Sequence, residues 1–139
     1  MTITEQVAYW QTLAETDLEV ARRFLQRGEN LHYCLFFGHM SLEKLIKGLV
    51  VLVKNEMPPK IHDLVRLAER AGLALDEELR VTLGIFNSFN LEARYPDYKL
   101  SFYKRCTKEF ATEQLAKIEE IYTWLLKRFP EPYSETSKD

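Results

Sequence analysis

The chain has 139 residues, a formal net charge of −2, 46% hydrophobic residues and 29% charged residues. This composition is typical of one soluble globular domain with a single core. The near-neutral charge balance argues against a protein that coats DNA or membranes. The longest apolar run, Leu49 to Val53, is far too short to span a bilayer.

Cysteine usage and the N-terminal sequence both bear on the compartment. Cys34 and Cys106 lie far apart without a CxxC motif, which predicts free thiols in a reducing environment. The first residues contain neither a basic region nor an apolar region of the kind found in signal peptides. We therefore expect a cytoplasmic protein.

Apolar residues recur at helical spacing along almost the whole chain. The pattern predicts no strand, and it gives an all-α fold: an antiparallel up-and-down bundle with four long helices and one short helix over residues 1–129. Gly38 within the second helix predicts a close helix–helix approach. A polar tail, residues 130–139, is expected to be flexible. The first predicted helix has Thr4 as its N-cap and ends at Gly28, and the second runs from about Leu31 to Lys54. The third, short helix runs from about His62 to Ala71. The fourth runs from Asp76 to about Arg94, and the fifth from about Thr107 to Phe129.

The most informative segment follows the fourth predicted helix. Pro96 disfavours helical geometry at Tyr95, so this helix is expected to end at about Arg94. Between Arg94 and Lys108 there are five basic residues and one acidic residue, Asp97. Basic groups among aromatic rings pair with phosphate and stack on bases. The pattern therefore predicts either a nucleotide or phosphate site, or a helix-capping bend with a solvated rim.

A polar ridge is predicted on the second helix, where His32, His39, Glu43 and Lys47 fall close to one line. Glu43 and Lys47 are four residues apart and are expected to pair. The ridge is either a polar site or a surface stripe with a weak salt bridge. Metal binding is not expected, because the ridge lacks the i,i+4 histidine pair of helical zinc sites.

A histidine next to an aspartate, as in His62-Asp63, can suggest a catalytic pair. Adjacent residues point in different directions on a helix, so the interpretation is structural, with His62 hydrogen-bonded to a neighbouring helix. The chain has no G-x-S-x-G frame, no phosphate-binding glycine loop and no histidine beside either cysteine in sequence. Acyl-transfer, hydride and P-loop chemistry are unsupported, and no cofactor is expected.

Several sequence blocks, taken in order, resemble the HEPN domain family (higher eukaryotes and prokaryotes nucleotide-binding). The resemblance covers about Tyr9 to Trp124, and the final block is similar to a signature of compact prokaryotic members. The blocks are Tyr9-Trp10, Ala14-Glu15-x-Asp17-Leu18-x-x-Ala21, Glu43-Lys44-Leu45-x-Lys47-Gly48-Leu49, His62-Asp63-Leu64 and Ala93-Arg94-Tyr95-Pro96-Asp97.

The resemblance implies a helical bundle that is commonly a homodimer, and a partnership with a small nucleotidyltransferase in a toxin–antitoxin-like system. Seven Tyr, eight Phe and two Trp also favour a partner face, since one small core hardly absorbs so many rings. Many HEPN proteins are metal-independent ribonucleases with an Arg-x4-6-His motif. Here all three histidines precede Arg94, and the string from Arg27 to His32 is interpreted as chance.

The resemblance therefore implies a non-catalytic module that binds a nucleotide or an RNA phosphate. Arg94 would contact phosphate, Tyr95 would stack or line the pocket, and Asp97 would orient Arg94 or accept from a base or ribose. Lys44 and Lys47 would add positive charge if the fourth helix packs beside the second. Two alternatives stay open: a ribonuclease with a displaced active site that uses Arg94 or His32, and a structural dimer in which Arg94 and Asp97 clamp the bend.

Overall fold

Six α-helices form the part of the chain that the computed structural model describes, residues 1–130, and no strand occurs there. The all-α prediction is confirmed, with four long helices as expected and two short ones. Of the predicted tail, residues 131–139 lie outside the described residues. The helices are α1 (Ile3–Arg27), α2 (Leu31–Lys54), α3 (Leu64–Arg70), α4 (Glu77–Arg94), α5 (Ser101–Arg105) and α6 (Lys108–Leu126).

Helix α1 begins two residues earlier than predicted, at a capping box. The Thr2 hydroxyl accepts from the Glu5 backbone N–H, and the Glu5 carboxylate accepts from the Thr2 backbone N–H. The predicted N-cap Thr4 was therefore wrong, because Thr2 alone has Glu5 at the third position after it. The predicted stop is confirmed: Gly28 has φ 66° and its N–H closes the last turn.

Helix α2 is the centre of the bundle, and α1, α3, α4 and α6 all pack against it. Gly38 allows the closest approach: a Cβ at this position would lie 2.7 Å from Ile118 Cδ1 on α6. The close packing predicted from this glycine is confirmed. Because α2 is covered on most sides, a polar group on it is buried unless it lies at a gap between the surrounding helices.

Helices α3 and α4 each start at an aspartate. Asp63 caps α3 by accepting from the Val65 and Arg66 N–H groups, and Asp76 caps α4 by accepting from the Leu79 N–H. Helix α3 therefore begins at Leu64, two residues after the predicted His62. His62 consequently belongs to the α2–α3 loop, where its orientation is set by tertiary contacts.

Helix α5 was missing from the prediction. Leu100 precedes it with φ 55°, and Phe102 is buried against Phe89 with ring centroids 5.7 Å apart. This single ring anchors the segment after Pro96 to the core, while Tyr95, Tyr98 and Tyr103 remain exposed. In residues 1–130, no helix combines the length and apolar character needed to cross a lipid bilayer.

Candidate functional site

Arg94, the last residue of α4, is exposed and held by a neutral partner. Its Nε–H donates to Asn90 Oδ1 at 2.6 Å, and its guanidinium carbon lies 5.0 Å from the centre of the Tyr95 ring. No carboxylate among residues 1–130 forms an ion pair with Arg94. The guanidinium charge is therefore not compensated by an ion pair, and the bond to Asn90 leaves its four terminal N–H donors unused.

Behind Arg94 lies a buried polar pair, Asn90 and His39. Asn90 Nδ2 lies 3.2 Å from His39 Nδ1, and His39 Nε2 lies 3.0 Å from the backbone carbonyl oxygen of His62. A carbonyl oxygen only accepts, so we assign the ring proton to Nε2 and leave Nδ1 as the acceptor of the Asn90 amide. One tautomer of His39 thus satisfies every contact.

The His39 ring is held neutral by its surroundings. Burial lowers its pKa to about 4, although the nearby Glu43 carboxylate and the bond to the His62 carbonyl act in the opposite direction. At neutral pH the ring therefore carries no charge, and its Nδ1 remains an acceptor. The hydrogen bonds from the His62 carbonyl through His39 and Asn90 to Arg94 are then all possible together.

One helical turn further along α2, the predicted Glu43–Lys47 pair is confirmed. Lys47 Nζ donates to Glu43 Oε2 at 2.9 Å, and the Glu43 and Lys47 side chains are only 3% and 10% exposed. The alternative of a solvated surface stripe was wrong, because neighbouring elements cover α2 at this level. The ammonium group also lies 5.8 Å from the centre of the Trp10 ring on α1.

Glu43 also binds His62, whose side chain is 52% exposed. His62 Nδ1 lies 2.8 Å from Glu43 Oε1, so Nδ1–H donates to the carboxylate and the opposite ring nitrogen, Nε2, remains unused by this bond. The predicted hydrogen bond between His62 and a neighbouring helix is confirmed.

The loop that carries His62 is fixed by Asn87 on α4. The Asn87 carbonyl oxygen accepts from the Leu64 N–H at 2.9 Å, and its amide donates to Asp63 Oδ1 at 3.0 Å. His62 and Asp63 therefore use separate partners, as predicted for adjacent residues, and do not form a dyad. The loop is a rigid support for the contacts described above.

Lys44 lies on the α1 side of α2. Its Nζ is 2.7 Å from Asp17 Oδ2, and both side chains are largely buried. Lys44 and Lys47 are thus each paired with a carboxylate, and the structure does not gather them with Arg94 into one open pocket. Lys47 is connected to Arg94 only through the hydrogen bonds of Glu43, His62, His39 and Asn90.

Asp97 binds the start of α5 rather than Arg94. It accepts from the Ser101 backbone N–H at 2.7 Å and from the Ser101 hydroxyl at 2.6 Å. These hydrogen bonds lower the pKa of the Asp97 carboxyl. The clamp between Arg94 and Asp97, one of the alternatives open from sequence, does not form.

The remaining basic residues of this segment divide into two groups. Arg105 lies 3.5 Å from a Glu92 carboxylate oxygen and over the Phe102 ring, and Lys108 donates to the Leu25 carbonyl at the end of α1. Lys99 and Lys104 are exposed, and neither forms an ion pair within residues 1–130. Within residues 1–130, the positive segment predicted from sequence therefore has four cations without a carboxylate partner, and one of them, Lys108, is held by a backbone carbonyl.

His32, the third histidine, is outside this network. Its ring packs between Tyr33 and Tyr103, with centroid distances of 4.1 and 5.0 Å, and its buried Nδ1 has no hydrogen-bond partner. Burial lowers its pKa. Cys34 and Cys106 are free, as predicted, and burial raises the pKa of their thiols to about 12 and about 11, so neither is an activated nucleophile.

Sequence reasoning missed Asn90, Asn87 and the coupling of His39 to Arg94. One signal was available, since Asn90 and Arg94 are four residues apart on one helix and were certain to be neighbours. The link from Asn90 to His39 joins two helices and leaves no pattern in the sequence.

The fold and the site together define a small helical bundle with an exposed arginine and tyrosine above a buried polar network. The chain belongs to the HEPN domain family, whose profile matches residues 7–129. The resemblance drawn from the sequence blocks is thereby confirmed. Comparison with curated proteins and with solved structures gave no significant match.

Proposed function

We propose that this HEPN domain is a non-catalytic module that binds the phosphate of a nucleotide or of RNA at the Arg94 end of α4. The observation that carries the proposal is the neutral partner of Arg94. A guanidinium held at Nε by an amide keeps four terminal N–H donors in a plane, which suits two phosphate oxygens.

The surroundings of Arg94 support a nucleotide rather than a bare anion. Tyr95 is 67% exposed beside the guanidinium, and Tyr98 and Tyr103 are also exposed. Exposed rings interleaved with Lys99 and Lys104 offer stacking and charge to a single strand or a base. Asp97 would accept from a base or ribose through the carboxylate lone pairs that Ser101 does not use. Lys44 and Lys47 would add little charge to this surface, because each ammonium group is paired with a buried carboxylate.

The proposed macromolecular partner is a small nucleotidyltransferase, in a toxin–antitoxin-like pair. The proposal follows from family membership and from the nucleotide-binding surface above. A nucleotidyltransferase reading frame next to this gene would support it, and copurification of the two tagged proteins is the direct test. Separate elution of the two proteins on gel filtration, at concentrations well above a micromolar affinity, contradicts the partnership.

A second candidate, a ribonuclease with a displaced active site, is favoured by one observation, the His62–Glu43 pair. A buried carboxylate that fixes an imidazole through Nδ1, with Nε2 on the outer side, is an arrangement suited to proton transfer. His32 is a weaker choice, since its ring is packed between two tyrosines. RNA cleavage that is lost in His62→Gln and retained in His32→Gln would establish this candidate in place of the first.

The test of the first proposal is calorimetric titration of the purified protein with ATP and with a short single-stranded RNA. We expect binding that is at least tenfold weaker in Arg94→Ala, with the RNA intact on a gel. Arg66→Ala is the matched control, because Arg66 is an exposed arginine on α3 without an ion pair in residues 1–130. Equal affinity of the wild type and Arg94→Ala, or no heat with any ligand, contradicts the proposal.

A further inference from the structure

An unbroken line of hydrogen bonds connects the His62 loop to Arg94. His39 Nε2–H donates to the His62 carbonyl at 3.0 Å, Asn90 Nδ2–H donates to His39 Nδ1 at 3.2 Å, and Arg94 Nε–H donates to Asn90 Oδ1 at 2.6 Å. All donors point in one direction along this line. Each bond therefore determines which atom the next residue must offer.

We propose that His39, acting through Asn90, is the positioning residue that orients the Arg94 guanidinium toward its phosphate. The inference rests on the proposed phosphate-binding role of Arg94 and explains how that role is built. His39 lies on α2 and is fully buried, so it does not touch the ligand itself.

The Asn90 amide can adopt two orientations of nearly equal shape. In one orientation Oδ1 faces Arg94, and in the other the NH₂ group faces it. The second orientation would set two donors against each other at Arg94 and an oxygen against the His39 Nδ1 lone pair. The neutral His39 ring selects the first orientation, because its Nδ1 only accepts.

The His39 ring is in turn selected by the loop. The His62 carbonyl oxygen can only accept a hydrogen bond, which requires Nε2–H on His39, and the loop is held by the Asn87 bonds to Leu64 and Asp63. The Nε–H group of Arg94 is consequently held by a series of hydrogen bonds that begins at the loop carrying His62. A guanidinium ordered before binding loses less side-chain entropy when phosphate arrives.

If His39 had a purely structural role, its replacement would not affect the orientation of Arg94. Two variants of His39 distinguish a structural role from a positioning role. His39→Gln retains one amide donor for the His62 carbonyl and one acceptor for Asn90. His39→Phe fills the space but provides neither. Ser88→Ala, on α4 and outside the chain of bonds, is the control.

The experiment combines NMR of the Arg94 Nε–H group in the free protein with RNA affinity measured by fluorescence anisotropy, using a labelled short single-stranded RNA. In the wild type we expect one slowly exchanging Nε–H signal. His39→Phe should broaden or average this signal and weaken RNA binding about tenfold, while His39→Gln and Ser88→Ala stay within about threefold of the wild type.

Each outcome has a defined meaning. If His39→Phe binds RNA as the wild type does, the positioning role is overturned while the phosphate site stands. A rapidly exchanging Arg94 Nε–H in the wild type also overturns it, even if His39→Phe does not fold. If the wild type shows no binding that depends on Arg94, the proposed function fails and the positioning role fails with it.

Discussion

Arg94 and Lys47 lie at opposite ends of one hydrogen-bonded network, but only the charge of Lys47 is compensated by a carboxylate. Lys47 is buried and faces a carboxylate, so its charge is compensated inside the bundle. Arg94 is exposed and faces an amide, so its charge stays available. A basic residue whose first partner is neutral keeps its charge available for a ligand, and the sequence motif alone does not reveal which partner that residue meets.

The largest expected effect is at the buried end. Glu43→Ala leaves the Lys47 ammonium buried without its carboxylate, and we expect the free energy of unfolding to fall by about 3–5 kcal/mol. Urea denaturation followed by circular dichroism measures the change. Glu19→Ala is the control, since Glu19 forms an exposed pair with Arg23 and should cost less than about 0.5 kcal/mol. Similar values for the two variants would show that Lys47 is not as buried as described.

The neutral middle of the network predicts a pH dependence. The pKa of His39 is about 4 in the folded state, below the ordinary histidine value, so the unfolded state takes up a proton first as the pH falls. The stabilisation from this residue is complete above about pH 6.5 and is lost between about pH 6.5 and pH 4, by roughly 3 kcal/mol. Unfolding curves of the wild type and His39→Gln across this range test the prediction. Parallel pH profiles would rule out His39 as the titrating group.

At the exposed end, binding and stability should separate. Arg94→Ala removes one partly exposed hydrogen bond, and we expect a stability loss of only about 1 kcal/mol together with the loss of ligand affinity described above. Thermal unfolding of the same sample used for calorimetry measures both quantities. A stability loss comparable to that of Glu43→Ala would mean that Arg94, like Lys47, is mainly structural.

The smallest effect concerns the exposed lysines. Lys99→Ala and Lys104→Ala should weaken RNA binding modestly and by the same factor for every sequence. Each change should also reduce the slope of log affinity against log salt by about 0.7, the value for one phosphate contact on a single strand. Lys54→Ala, at the exposed end of α2, is the control. An unchanged slope in the two lysine variants would place the RNA elsewhere.

Most of the fold was predictable from local patterns. Helix α2 was placed from Leu31 to Lys54 by the spacing of its apolar residues, and the stop at Gly28 followed from the left-handed geometry that glycine adopts easily. Two helix starts were predicted wrongly. Thr2, not Thr4, is the N-cap of α1, because Glu5 completes a capping box with Thr2. Helix α3 begins after Asp63 and not at His62. Helix α5 was missed because five residues are too few to show a period.

The candidate site was predictable only in part. Arg94 and Tyr95 were identified correctly as neighbours at the end of α4, and the Glu43–Lys47 pair followed from its spacing on one helix. Asp97 was expected to orient Arg94 or to accept from the ligand. It does not bind Arg94, because a carboxylate just before a short helix accepts from a free N–H group there, in this case that of Ser101. Whether the surface binds a nucleotide stays a prediction.

By itself, the sequence determined the four long helices, several of their ends and the family, because these depend on periodicity, capping and motif order within short stretches. Only the tertiary structure decided which charges are compensated. Lys44, Lys47 and Arg94 look alike as sequence, but α1 brings Asp17 to Lys44, and burial of α2 commits Lys47 to Glu43. Arg94 meets Asn90 through helical spacing, but Asn90 meets His39 only because α4 packs beside α2, a contact between residues 51 positions apart along the chain that leaves no local pattern.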